Sequence, residues 1–139
     1  MPEALADTGQ RILLIEDEPA VARLTEIVLS GAGYSVQVVA DHAVASDLLA
    51  ESAYRLVIAD TDLGPHTPGL AGLAPVVAAA RCPVLLFSAH RFPAAEIAAA
   101  GFSGVISKPY DIDDLLRIVE QTIACGPSDS PSGTVTALH

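Results

Sequence analysis

The chain has 139 residues, of which 51% are hydrophobic and 4% aromatic, and its formal net charge is -10. This length suits one domain with its own core, and the hydrophobic fraction excludes disorder of the whole chain. The negative charge would repel nucleic-acid phosphates and anionic lipids, so we expect no direct binding to nucleic acid or membrane. No segment approaches the roughly 18 apolar residues of a membrane span, and residues 1–10 do not resemble a secretory leader. We therefore expect a cytoplasmic protein.

The two ends of the chain differ in composition from the middle. Residues 125–139 read CGPSDSPSGTVTALH, which is rich in Gly, Pro and Ser and has no apolar periodicity. We predict an N-terminal tail over 1–10, one domain over 11–124, a flexible tail over 125–139, and no output domain after it. Cys82 and Cys125 lack metal-ligand spacing, which favours two free thiols in a reducing compartment, with Cys82 in the core.

In chain order, short apolar runs alternate with segments of helical periodicity. The predicted strands cover 11–15, 34–39, 55–60, 83–87 and 104–106. The predicted helices begin at Pro19, after the cap residue Asp41, after a Gly/Pro-rich loop at 63–69, at Pro93 and at Asp111. They end near Gly31, near Ala53, before residue 83, near Ala100 and near Ala124.

This alternation of about five strands and five helices predicts an α/β fold. Apolar runs without polar alternation indicate strands buried on both faces, as in a parallel sheet covered by helices on both sides. The class is flavodoxin-like and doubly wound, for which we expect the strand order 2-1-3-4-5. In such sheets ligands bind beyond the carboxyl ends of the strands, so the residues that follow each strand are the candidate site.

Polar side chains end four of the predicted strands. Glu16 and Asp17 close the first strand, Asp60 the third, Ser88 the fourth and Lys108 the fifth. Three crowded carboxylates repel one another, and a hard cation with oxygen ligands, Mg²⁺, would hold them ionised. One carboxylate then remains as a nucleophile, while an ammonium and a hydroxyl are suited to bind transferred phosphoryl oxygens.

These residues resemble the receiver domains of two-component signalling. The likeness covers about residues 11–124 and has four motifs: Ile12-Leu-Leu-Ile-Glu-Asp-Glu-Pro19, Leu56-Val-Ile-Ala-Asp60, Leu85-Leu-Phe-Ser-Ala89 and Ser107-Lys-Pro109. Each motif is weak alone, but all four in this order are specific. The resemblance implies a receiver that accepts a phosphoryl group from a sensor histidine kinase or a histidine phosphotransfer protein and signals through altered partner binding.

The resemblance also implies individual roles. Asp60 would be the phosphoacceptor, and Glu16 and Asp17 would hold Mg²⁺ together with Asp60. The backbone carbonyl of Asp62 would complete the metal site. By the same resemblance Ser88 would sense the phosphoryl group and Lys108 would bind it, while the face of the fourth and fifth strands would meet a downstream protein target.

The position of the aromatic switch departs from the family pattern. The aromatic switch residue that usually lies three positions before the lysine is here Val105, so an inward swing of Tyr or Phe at that position cannot be the readout. Tyr110, just past Pro109, is a candidate substitute. This departure keeps open a pseudo-receiver, which would bind partners without being phosphorylated.

Two polar residues beside the site, Asp62 and His90, are candidates for tuning the lifetime of the phosphoryl group, because both would flank the path of the attacking water. The alternative for both is a solvated loop residue. His42 and His66 carry no motif, and we expect them to be exposed helix and loop residues.

An enzyme alternative rests on Asp60-Thr61-Asp62, which resembles the DxD motif of haloacid dehalogenase-like phosphatases. Such enzymes carry the motif on their first strand, whereas here an acidic pair comes first. We therefore favour a signalling module whose only chemistry is self-phosphorylation and autodephosphorylation.

Overall fold

The computed structural model of the chain describes residues 11–61, 70, 73–89, 91–108 and 110–125. Within these ranges five strands alternate with five helices. In order they are β1 (Arg11–Ile15), α1 (Pro19–Gly31), β2 (Ser35–Val39), α2 (His42–Glu51), β3 (Leu56–Asp60), α3 (Ala74–Ala79), β4 (Val84–Ser88), α4 (Ala94–Ala99), β5 (Gly104–Ser107) and α5 (Ile112–Cys125). No helix in the described ranges is long and apolar enough to cross a bilayer.

The five strands form one parallel sheet in the order β2-β1-β3-β4-β5. This confirms the predicted flavodoxin-like class and strand order. All residues of β3 and β4 are buried, whereas β2, at the sheet edge, is half-buried or exposed throughout. The central strands β1, β3 and β4 therefore carry the long apolar runs that were visible in the sequence, and their carboxyl ends lie side by side.

Two apolar clusters cover the two faces of the sheet, because successive side chains of a strand point to opposite faces. One cluster joins Leu13, Val57 and Leu86 of the sheet to Leu49 of α2 and Val76 of α3. The other cluster joins further residues of the same strands to α1 and α5: Ile12, Ile58, Leu85, Leu29 and Leu115. The sheet is thus sandwiched between α2, α3 and α4 on one side and α1 and α5 on the other.

Local sequence features set several helix ends. Pro19 occupies the first turn of α1, where its missing N–H costs no helical hydrogen bond. The side chain of Asp41 accepts hydrogen bonds from the backbone of Ala43 at 2.6 Å and of Val44 at 3.4 Å, as expected for a helix cap. After α1, Gly33 has a φ of 104°, a conformation that other residues rarely adopt.

Some predicted bounds and burials differ from the structure. The second helix was expected to reach Ala53 but ends at Glu51, because Ser52 is already extended. Cys82, expected in the core, is only half-buried and packs against the apolar cluster that joins the sheet to α2 and α3. Burial still raises the pKa of its thiol to about 11, which keeps it protonated near neutral pH. The predicted tails lie outside the described residues, except for the backbone of Cys125, so the proposed domain limits stay predictions.

Candidate functional site

The polar residues at the strand ends lie together at one edge of the sheet. Glu16 directly follows β1, and its backbone N–H donates to Val39 of the neighbouring strand at 2.9 Å. Asp60 and Ser88 are the last residues of β3 and β4. Lys108 follows β5, and its backbone N–H donates to the carbonyl of Ser88 at 2.9 Å. Hydrogen bonds of the sheet itself therefore fix the backbone of this site.

Lys108 bridges two buried carboxylates. Its Nζ lies 3.1 Å from Oε1 of Glu16 and 3.0 Å from Oδ1 of Asp60. Burial alone would lower the pKa of Lys108, but its hydrogen bonds and charge interactions with Asp60 and Glu16 outweigh that effect, so the net pKa is raised. The ammonium group is therefore charged near neutral pH and offsets part of the negative charge of the site.

The charged form of Glu16 is disfavoured by its surroundings. Burial raises the pKa of its carboxyl group to about 7, and the neighbouring Asp60 adds to the rise. Lys108 and the backbone N–H of Glu18, which donates to Oε2 at 3.0 Å, act in the opposite direction but do not cancel it. The side chains of the protein alone therefore leave the charge of Glu16 incompletely stabilised.

Asp17 completes a group of three carboxylates. Glu16, Asp17 and Asp60 each offer one oxygen, and these oxygens lie within 4.8 Å of one another. Asp17 is exposed, whereas the other two are buried, so the group opens to solvent on one side. Hard oxygen donors and a negative charge that is costly without a counterion fit Mg²⁺, which binds through one or two carboxylates and keeps several waters. The predicted carbonyl ligand, Asp62, lies outside the described residues.

Ser88 is joined to a residue that the sequence analysis did not single out. The hydroxyl of Thr61 donates to Oγ of Ser88 at 3.0 Å, and both residues are buried. Thr61 follows Asp60 directly and appeared in the sequence only as the middle of Asp60-Thr61-Asp62. Its position after an apolar strand indicated burial, but its partner on β4 could be found only from the sheet register.

His42 was expected to be an exposed helix residue, and this expectation was wrong. The ring is half-buried, and Nε2 lies 3.3 Å from the backbone carbonyl oxygen of Asp60. The carbonyl can only accept, so His42 donates from Nε2. The cause is the strand order: α2 begins directly after Asp41, beyond the carboxyl end of β2, and its first turn lies at the same edge of the sheet as the end of β3.

Val105, at the position of the usual aromatic switch, is 36% exposed on β5. Tyr110 instead contacts α1, since its hydroxyl lies 3.1 Å from Oγ1 of Thr25. Its ring centroid is 5.6 Å from that of Phe87, and Nζ of Lys108 lies 4.7 Å from the centroid of Phe87. Phe87 thus lies between the charged site and Tyr110.

A cavity of about 340 Å³ adjoins this aromatic pair. Its lining joins α1 to the ends of β4 and β5: Val21, Leu24, Phe87, Ala89, Lys108 and Tyr110. His90 and His66, like Asp62, fall outside the described residues, so the expectations for these three side chains stay predictions.

The comparison with protein families decides the class of the chain. The model of the response regulator receiver domain matches residues 12–120. The chain belongs to this family. It is therefore a receiver domain of two-component signalling, a class of signalling modules that interact with histidine kinases and downstream targets and are typically not enzymes.

Relatives with the same domain are response regulators. The transcriptional regulatory protein YkoG of Bacillus subtilis is 32% identical over 118 residues, which are 81% of this chain and 50% of the relative. The phyllosphere-induced regulator PhyR of Methylorubrum extorquens is 29% identical over 125 residues, 87% of this chain and 46% of the relative. The receiver therefore spans about half the length of these relatives.

Solved receiver structures share the fold. The receiver domain of sensor histidine kinase PA1611 from Pseudomonas aeruginosa, solved with magnesium in its active-site cleft, is 26% identical with a TM-score of 0.71, over 84% of this chain and 98% of that one. A CheY-like receiver protein of Methanospirillum hungatei has a TM-score of 0.74 at 22% identity, over 83% of this chain and 94% of that one, a likeness of fold alone.

Membership in this family disfavours the phosphatase alternative. Asp60 stands at the end of the third strand of a receiver sheet, with the acidic residues Glu16 and Asp17 beyond the first strand. The haloacid dehalogenase-like motif would instead stand on the first strand. The position of Asp60-Thr61-Asp62 in the chain therefore does not match that of the phosphatase motif.

Proposed function

We propose that this receiver accepts a phosphoryl group on Asp60 from a phosphohistidine of a sensor histidine kinase or a histidine phosphotransfer protein. The observation that carries the proposal is the position of Lys108, whose ammonium group bridges Asp60 and Glu16 while the carboxylate of Asp17 lies within 4.8 Å of both acids. A buried nucleophile, a cation and two further acids at one open edge meet the needs of phosphoryl transfer, which depends on positioning and charge stabilisation.

In the proposed reaction a carboxylate oxygen of Asp60 attacks phosphorus, the P–N bond to the donor imidazole breaks, and the imidazole leaves with its electron pair and takes up a proton. Lys108 neutralises charge on the phosphoryl oxygens, since its ammonium group already lies 3.0 Å from Asp60. Ser88 would donate its hydroxyl proton to another phosphoryl oxygen. Autodephosphorylation returns Asp60 to its free form: water attacks phosphorus, the bond between phosphorus and the carboxylate oxygen of Asp60 breaks, and phosphate is released.

Glu16, Asp17 and Asp60, with the backbone carbonyl of Asp62, would hold Mg²⁺ in this proposal. When bound, the cation supplies positive charge that offsets the phosphoryl oxygens during transfer. The pKa of Glu16, raised to about 7 mainly by burial, supports this assignment because a buried carboxyl of this kind needs a counterion to stay ionised.

The product of the reaction is a changed surface. A phosphoryl group adds about -1.5 to -2 charges, and Ser88 and Lys108, at the ends of β4 and β5, would respond to them. We propose that a downstream protein recognises the face of β4, β5 and their helices, in the cytoplasm and without contact to nucleic acid. Asp62 and His90 are proposed to set the lifetime of the phosphoryl group by flanking the path of the attacking water.

One experiment tests the function. The full chain is incubated with acetyl phosphate and Mg²⁺ and inspected by mass spectrometry for an acid-stable, base-labile acyl phosphate. We expect one phosphoryl group on the wild-type chain and none on Asp60→Asn. Turnover of a generic phosphomonoester would revive the phosphatase alternative.

A second candidate is a pseudo-receiver, which the exposed Val105 at the switch position favours. The same experiment separates the two. An unmodified wild-type chain that still binds its partner would support the pseudo-receiver and refute phosphorylation as the signal.

A further inference from the structure

The hydroxyl pair of Thr61 and Ser88 is built into the sheet. The backbone N–H of Thr61 donates to the carbonyl of Phe87 at 3.2 Å, which extends the pairing of β3 with β4 by one residue and sets Thr61 opposite Ser88. The exposed fractions are 3% for Thr61 and 1% for Ser88. A hydrogen bond of 3.0 Å between two such buried hydroxyls has little competition from water.

This pair and the charged site lie on different faces of the sheet. Asp60 follows the alternation of Ile58, which packs towards α1 and α5, and Lys108 lies over the ring of Phe87 on that same side. Ser88 follows the alternation of Leu86, which packs towards α2 and α3. Strand alternation thus directs Ser88 away from the face of Asp60, so its hydroxyl would have to turn or shift past the end of β4 to reach a phosphoryl group on Asp60.

We infer that Thr61 is a positioning residue that holds Ser88 in its resting place and thereby opposes the switch; this inference rests on the proposed function. Moving Ser88 towards the phosphoryl group stretches or breaks the 3.0 Å hydrogen bond that its Oγ accepts from Thr61. A hydrogen bond of this kind contributes about 1 kcal/mol net, equivalent to roughly a fivefold change in an equilibrium constant. The restraint thus lowers the affinity for a phosphoryl group without touching it.

The test uses the full chain and beryllofluoride with Mg²⁺, a stable mimic of a phosphoryl group on a carboxylate, with affinity measured by calorimetry. Thr61→Val removes the hydroxyl at nearly constant shape, and Thr61→Ser keeps it. We expect Thr61→Val to bind the mimic roughly fivefold more tightly than wild type, the equivalent of about 1 kcal/mol. Thr61→Ser should stay within about twofold, because its hydroxyl still restrains Ser88.

The decisive comparison repeats Thr61→Val in a Ser88→Ala background. A residue that acts through Ser88 loses its effect there, whereas a general packing role gives the same change in both backgrounds. Urea unfolding checks that each variant folds, and Thr61→Ala replaces Thr61→Val if the latter does not.

Unchanged or weaker binding by Thr61→Val, or an equal gain without the Ser88 hydroxyl, would overturn the inference. A wild-type chain that does not bind the mimic would instead refute the proposed function on which the inference rests.

Discussion

The hydroxyl of Tyr110 lies 3.1 Å from Oγ1 of Thr25 and joins the segment after β5 to α1 across 85 positions of sequence. The hydroxyl of Thr25 donates to the carbonyl of Val21 at 2.8 Å, so Tyr110 must be the donor in this pair. We expect Tyr110→Phe to lower the free energy of unfolding by about 1 kcal/mol, because the ring packing stays and one hydrogen bond is lost.

Urea unfolding measures this change. In a Thr25→Val background Tyr110→Phe should lower the free energy of unfolding clearly less, because the hydrogen bond between the two residues is already absent. Mg²⁺ affinity should not change in Tyr110→Phe, since the hydroxyl faces α1 rather than the carboxylates. A loss of metal binding would show that the Tyr110 contact orders the acidic site.

The second prediction concerns Lys108. Lys108→Ala should slow phosphorylation by acetyl phosphate at least about tenfold, because the ammonium group stabilises charge that develops on the phosphoryl oxygens. Its affinity for Mg²⁺ should not fall, because in the free protein the ammonium group competes with the cation for oxygens of Glu16 and Asp60. Lys108→Arg is the control that keeps the charge. Weaker Mg²⁺ binding or a wild-type rate in Lys108→Ala would contradict the assignment.

The third prediction concerns Asp17. Removing one carboxylate from a group of three should weaken Mg²⁺ binding at least about tenfold, because little charge remains to offset the dehydration of the cation. Asp17→Ala should leave the free energy of unfolding nearly unchanged in metal-free buffer, since the side chain is exposed. Glu18→Gln removes the same charge from the adjacent exposed position and should bind Mg²⁺ almost as wild type does. Equal losses in both variants would mean that net charge alone governs binding.

The fourth prediction is a pH dependence caused by Glu16. Its folded-state pKa is raised from 4.5 to about 7, so the folded chain binds this proton more tightly than the unfolded chain does. The charged form of Glu16 therefore destabilises the folded chain. This effect is absent below about pH 4.5, where Glu16 is protonated in both states, and complete above about pH 7, so the free energy of unfolding falls as pH rises through that window. The loss of stability is at most about 3.4 kcal/mol, from a rise of the pKa from 4.5 to about 7.

In metal-free buffer, urea unfolding of wild type and Glu16→Gln at several pH values should give curves that diverge over this range, with the variant the more stable at pH 8. Glu51→Gln, at an exposed position of α2, should follow the wild type. Parallel curves for wild type and Glu16→Gln would show that Glu16 does not titrate in this window.

The fifth prediction concerns Asp62 and His90. Replacing both with neutral residues should change the rate of autodephosphorylation at least several-fold and leave Mg²⁺ affinity within a small factor, since only the main-chain carbonyl of Asp62 is expected to touch the metal. Orientation of water and electrostatic repulsion act in opposite directions, so the magnitude rather than the sign is predicted. Decay of the phosphorylated chain in Asp62→Asn, His90→Ala and the double variant measures it. Superimposable decay curves would identify both as solvated loop residues.

The fold and the positions of the charged residues could be predicted from sequence because they depend on short-range patterns. Apolar runs of β-strand length predict buried parallel strands, and the residue after each run must lie at the carboxyl edge of the sheet. Glu16, Asp60 and Lys108 lie together because the strand order brings the carboxyl ends of β1, β3 and β5 to one edge.

Contacts that depend on side-chain direction could not be predicted in the same way. The bond from His42 to the carbonyl of Asp60 requires the start of α2 to lie beside the end of β3, and the periodicity of α2 does not contain this information. The Thr61–Ser88 hydrogen bond depends on the register of β3 and β4, which pairs Asp60 with Phe87 and so sets Thr61 opposite Ser88. For Tyr110 the sequence indicated a candidate substitute for the aromatic switch but not the helix that its hydroxyl would contact.

The aromatic pair beside the site has a practical consequence. The chain contains three tyrosines and no tryptophan, so its ultraviolet emission comes from tyrosine alone. One of these fluorophores, Tyr110, is in contact with Phe87, and the ammonium group of Lys108 lies over the Phe87 ring. Any rearrangement of Lys108 would change the surroundings of a natural chromophore, and subtraction of the Tyr110→Phe spectrum would isolate its contribution. We therefore expect the emission of Tyr110 to report, without a label, a cation that enters the acidic edge and displaces Lys108.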